Sequence, residues 1–186
     1  MNDTDEYILN AIKLQVWSGF SSPDDVQQMI DDILEDDADE PFLRSQVAPE
    51  FERKANAEKS WPKETDCDRL DRAFNVLNSN GIIALHKAGT TMSDGLGDVG
   101  EVLEQRDRAN VKGYCFYHSQ DLDRAMSGGG LMLAFGDLDD DKHAKVEIGR
   151  IVKAALEAHG FAIEWNGDSE TRLDIPSIDW KRRRAV

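Results

Sequence analysis

A chain of 186 residues is long enough to bury a hydrophobic core without staples, and a formal net charge of -15 speaks against duplex nucleic acid, whose phosphates require clustered Lys and Arg. Its two cysteines, Cys67 and Cys115, lie far apart with no CxxC pair, which disfavours a disulfide framework or a cysteine metal site. MNDTDEYILN carries acids where a signal peptide needs a basic region, and no apolar run approaches the roughly 18 residues of a membrane span, so the expectation is a soluble, cytoplasmic protein with no membrane partner.

The acid is concentrated early: residues 1–60 hold 15 Asp/Glu against 5 Lys/Arg, a net of -10, while residues 61–186 hold 22 against 17, a net of -5. Ile8, Ala11, Ile12 and Val16 predict a short helix over residues 5–17. Ser22, Pro23 and Asp25 have capping-box spacing before Val26, Met29, Ile30, Ile33 and Leu34, which repeat at helical period. That helix is expected to run into EDDADEP and fray there, since acids at a helix C-terminus oppose the macrodipole. Residues 42–60 are charged and weakly periodic, and read as a helical connector.

At Trp61-Pro62 the texture changes. Thr65-x-x-Asp68 opens a helix with Leu70, Ala73, Phe74 and Leu77 on one stripe, closed by Asn80-Gly81. IIALH (82–86) reads as a strand, followed by a Gly/Thr-rich loop and a helix to about Asn110. YCFYH (114–118) reads as a second strand, Ser119 as the cap of a brief helix, and LMLAF (131–135) as a third strand. A helix over Ala144 to His159 precedes FAIEW (161–165) and TRLDI (171–175), which flank Asn166-Gly167-Asp168 as a hairpin. The expected architecture is α+β (mixed α/β): an acidic helical N-terminal region, residues 1–60, then a core domain, residues 61–186, with a sheet of about five strands and flanking helices.

Gly95-x-Gly97-x-x-Gly100 has the spacing of the dinucleotide fingerprint. It fits poorly, because LHKAGTTMSD separates it from the strand and Asp94 and Asp98 put negative charge where a phosphate would sit. A flexible loop leading into a late helix is the better reading, with a nucleotide-binding module as a third possibility. If the two strands run parallel, His86 and His118 both lie at carboxyl strand ends, with Thr90, Thr91, Ser93, Asp94, Ser119, Gln120 and Asp121 around them. Two imidazoles and a carboxylate have the chemistry to hold zinc or iron, or to move protons near neutral pH. In that reading His118 is ligand or general base, His86 its partner, and Asp121 or Asp94 the orienting carboxylate; which cofactor or metal is involved, if any, stays open. The competing reading is structural, with Ser119 as a helix cap and the histidines as polar strand exits.

Other features carry less. DLDDD (137–141) starts like a calcium loop, but Lys142 and Ile148 stand where Gly and Glu are needed. Trp180 precedes the basic run Lys181 to Arg184, which either meets the acidic helices or is solvated. The blocks WPKETDCDRLDRAF, GIIALHKAGTT, GYCFYHSQD, LMLAFG and WKRRR resemble a family of bacterial proteins of about this size without assigned function, over residues 61–184. The resemblance implies a bacterial, cytoplasmic protein and assigns no catalytic residue.

Two function classes follow. The acidic first third can steer a basic protein partner, as an inhibitor or immunity protein does, with Asp36, Asp37, Asp39 and Glu40 the acids to neutralise. The alternative is a small metal-dependent hydrolase at His86 and His118.

Overall fold

The structure, a computed structural model, describes residues 2–183, and the chain divides into two compact units: Met1–Thr65 with Trp180–Val186, and Asp66–Asp179. The division falls a few residues after the change of texture at Trp61. The C-terminal segment, grouped by sequence with residues 61–186, belongs to the first unit.

The first unit is helical: α1 (Asp3–Ser18), α2 (Pro23–Ile33), α3 (Glu40–Ser45) and α4 (Val47–Glu58). Helix α1 starts earlier than periodicity indicated because Asn2 and Asp5 form a reciprocal capping box. Ile8, Ile12 and Val16, spaced one turn apart, meet Val26 and Ile30 of α2, Leu43 of α3 and Val47 of α4 in one buried cluster. Ser22 and Asp25 cap α2 as expected.

The acidic run does not fray a helix; α2 stops at Ile33, and residues 34–39 form the link to α3. Several of its acids are used by the fold. Asp37 accepts from Asn2, Asp39 caps α3 by accepting from the Phe42 N–H, and Glu40 pairs with Arg44. The Asp39 N–H in turn donates to Asp5, which holds that carboxyl below its ordinary pKa.

Within the same unit the basic tail meets aromatic rings and carbonyls. The Trp180 indole N–H donates to the Ser18 carbonyl, Arg182 lies 4.4 Å over the Phe20 ring, and Arg183 donates to the Pro62 carbonyl. Arg184, the last residue of that run, lies outside the described residues.

The second unit runs α5 (Asp66–Ser79), β1 (Ile82–Leu85), α6 (Met92–Glu104), β2 (Gly113–Phe116), α7 (Ser119–Met126), β3 (Leu131–Gly136), α8 (Lys142–Ala158) and β4 (Leu173–Ile175). The sheet order is β1-β2-β3-β4, with β1 and β2 parallel and the other pairs antiparallel. Helices α5 and α8 pack on each other and on the sheet; α6 sets Val99 against Ile83, Phe116 and Ala134, the alternate residues. Gly81 ends α5 at φ 85°, as its αL cap role requires.

The class is α+β, with four strands instead of five. FAIEW is not a strand: it meets β4 only through a bridge between Glu164 and Asp174. Side-chain anchoring takes the place of a ladder, because Phe161 is buried, Trp165 packs edge-to-face on Phe135 at 5.3 Å, and the Trp165 indole N–H turns back to the Asp168 carbonyl.

The free edge of β1 is met by a side chain. Asn78 donates through Nδ2 to the Ala84 carbonyl at 2.9 Å and accepts from the Ala84 N–H at 3.2 Å, copying the pairing of a neighbouring strand.

Candidate functional site

The parallel register pairs Ala84 with Cys115, so two residues further on His86 and Tyr117 share a face. The structure joins them: His86 Nδ1 lies 3.0 Å from the Tyr117 hydroxyl, and His86 Nε2 lies 3.1 Å from Asp71 Oδ1 on α5. With Asp71 ionised, Nε2–H donates to the carboxylate and Nδ1 is left to accept from the phenol. Phe74 stacks on the imidazole at 4.3 Å with an interplanar angle of 16°. Both ring nitrogens therefore have partners within the fold, and Tyr117 is fully buried.

His118, the next residue, has different partners from His86: its ring meets Asp121, whereas the His86 ring meets Tyr117 and Asp71. His118 is 6% exposed and forms the N-cap of α7, one residue ahead of the expected Ser119. Ser119 donates its hydroxyl to the Gly89 carbonyl instead. Asp121, 4% exposed, accepts from the His118 N–H at 3.1 Å and pairs with Arg172, which also donates to the Met132 carbonyl. His118 Nδ1 sits between two groups of Asp121, 3.3 Å from its N–H and 3.1 Å from Oδ2.

The tautomer decides what this ring can do. As a cap, Nδ1 accepts and the proton sits on Nε2; as a donor to the carboxylate, Nδ1–H frees the Nε2 lone pair as a base. The Asp121 N–H also reaches the His118 carbonyl at 3.1 Å, so it does not depend on the ring. Sequence identified His118 and Asp121 and missed Arg172, which lies 51 positions away on the approach to β4. It also missed Asp71 and Tyr117, although the parity of two parallel strands already puts residues 86 and 117 on one face. Among the described residues no three His, Cys, Asp or Glu side chains converge to hold a metal ion. Cys115 is fully buried, and burial pushes its thiol pKa up, leaving no thiolate for chemistry.

The glycine motif lies in α6. Thr91 and Asp94 cap the helix reciprocally, and hydrogen bonds from Thr91, with a further one from the Thr90 N–H, hold the Asp94 carboxyl below its ordinary pKa. The helix N-terminus thus already faces an anion of its own. Gly95 is needed for close packing, since a Cβ there would lie 2.3 Å from the Phe116 ring. Gly97 and Gly100 face open space at helical φ. Gly100→Ala is therefore expected to raise stability by about 1 kcal/mol and the thermal midpoint by roughly 2–4 °C, read by circular dichroism. A lower midpoint would show that the fold needs that glycine.

A helical unit followed by a four-stranded mixed sheet, with its polar network at the carboxyl ends of two parallel strands, places the chain in the α+β class. The chain belongs to the family described as Domain of unknown function (DUF6891), which matches residues 1–184 and so includes the acidic helices. No curated protein and no solved structure matched the chain.

Proposed function

We propose that the protein is a bacterial, cytoplasmic binding protein that acts on a cationic macromolecular partner, as an inhibitor or immunity protein does. The observation that carries this reading is the link between α2 and α3. From Leu14 to Leu43 the chain has no Lys or Arg, yet it holds Asp24, Asp25, Asp31, Asp32, Glu35, Asp36, Asp37, Asp39 and Glu40. Asp37, Asp39 and Glu40 serve the fold, whereas Glu35 and Asp36 are exposed and meet no cation among the described residues. Exposed carboxylates without counter-charges act at long range, raising the encounter rate with a basic surface.

Of the acids nominated by sequence, only Asp36 tests this cleanly, because replacing the others would disturb caps and an ion pair. The informative variant combines Asp32→Asn, Glu35→Gln and Asp36→Asn. Its association rate with a partner isolated at low salt is expected to fall ~10-fold at 0.01 M salt, with the difference vanishing near 1 M as screening shortens to about 3 Å. Stopped-flow rates equal to the parent's at low salt would overturn the proposal.

One observation favours the hydrolase as a second reading. Asp121 is placed to orient His118, the arrangement that activates an imidazole as a base. Against it stand the burial of that ring and its capping of α7.

A further inference from the structure

The second unit has an open groove of about 300 Å³ with a lining of two kinds. Met92 and Leu96 of α6, 37% and 43% exposed, give it apolar surface together with the rings of Tyr114 and Phe135. Lys145 of α8 and Arg172, just before β4, give it cations. The Arg172 guanidinium is short of acceptors. Its Nη2 donates to Asp121 and to the Met132 carbonyl, while Nε is buried without a partner and Nη1 meets no acceptor among the described residues. A buried donor left unmet costs stability, and native structures seldom keep one without a use for it. Lys145 is held loosely: its carboxylates, Asp140 at 3.2 Å and Glu170 at 3.9 Å, are 89% and 63% exposed, and pairs of that kind hold weakly in water. Burial raises the pKa of the Tyr114 hydroxyl against the pull of Lys145, so the phenol keeps a proton to donate.

We propose that this groove binds a small organic acid, its carboxylate held by Lys145 and Arg172 and its short apolar body laid against Met92 and Leu96. Volume and charge select this class. About 300 Å³ is the low end of the range for small-molecule sites, which suits a ligand of few carbons. A guanidinium with unmet donors favours an oxyanion, since charge-assisted hydrogen bonds are the strong ones. Glu170 and Asp140 beside Lys145 repel a second negative charge, which separates a carboxylate from a phosphate dianion. The exposed side chains of Met92 and Leu96 let the carbon chain leave water, a gain that a bare inorganic anion does not make. The site lies in the other unit from the acidic link between α2 and α3, and it stands or falls apart from the function proposed for that link.

The test uses the full chain and hexanoate, with hexylamine and inorganic phosphate as comparisons. Hexanoate is expected to shift the Met92 and Leu96 methyl resonances saturably, and the other two to bind at least ~10-fold more weakly, a difference of about 1.4 kcal/mol. Arg172 is left intact, because its pairing with Asp121 supports the fold. Lys145→Gln is expected to weaken hexanoate ~10-fold at an unchanged thermal midpoint. Tyr114→Phe keeps the ring and removes only the hydroxyl; it is expected to weaken hexanoate ~3-fold, and it decides the matter if Lys145→Gln proves less stable than the parent. No saturable shift with hexanoate, equal binding of hexylamine, tighter binding of phosphate, or parent-like binding of hexanoate by both variants overturns the site.

Discussion

Replacing Asp121 with alanine is expected to destabilise the unit Asp66–Asp179 by about 3 kcal/mol, measured as a shift of the urea midpoint at unchanged slope. The carboxylate is 4% exposed and accepts from the His118 N–H and the Arg172 guanidinium. Its removal leaves a charge and a buried donor without an acceptor. The figure is the low end of what removing one member of a buried pair costs, because Arg172 keeps 24% of its side-chain exposure and water can partly replace the lost partner. The result bears directly on function. A large loss identifies Asp121 as a support of α7 and the approach to β4, in keeping with the capping role of His118. A variant as stable as the parent would mean that the fold does not need the carboxylate, and would turn attention back to hydrolysis with Asp121 as the orienting group.

Phe74→Ala is expected to cost about 3–5 kcal/mol, the range for deleting a buried aromatic ring and leaving a cavity. Phe74 is 1% exposed and stacks on His86, with Tyr117 at 6.1 Å. Beyond the midpoint shift, the His86 ring protons should lose the ring-current displacement that a face-stacked phenyl imposes. A loss below about 1 kcal/mol, with the His86 resonances unmoved, would refute the packing described for this side of the sheet. The two substitutions probe different contact networks, one around His86 and one around His118, and their effects should add if the two networks are independent.

Helices with complete local signals were legible in the sequence: Ser22-Pro23 with Asp25 named the start of α2, and Leu70, Ala73, Phe74 and Leu77 named the buried stripe of α5. The first three strands in chain order were legible from their short apolar runs. What failed depended on tertiary contacts. FAIEW alternates like a strand, but Phe161 and Trp165 are anchored by the core and by Phe135, which leaves only a bridge at Glu164. The cap of α7 was placed at Ser119 because hydroxyls outrank imidazoles there, yet the backbone turns one residue earlier and Ser119 is drawn to Gly89. At the candidate site, His118 and Asp121 are three residues apart and were visible together. Asp71 approaches from α5 and Arg172 from the segment just before β4, and no local spacing announces them.

Asn78 has a consequence for association. Its amide stands where the backbone of an incoming strand would have to bind Ala84. Strand addition at this border of the sheet must first strip away two hydrogen bonds made within the molecule, so copies of the protein have no open template for ladder growth there. A strand approaching from that side must displace the Asn78 amide before it can pair with Ala84, so in the folded molecule one side chain raises the cost of edge pairing at that position.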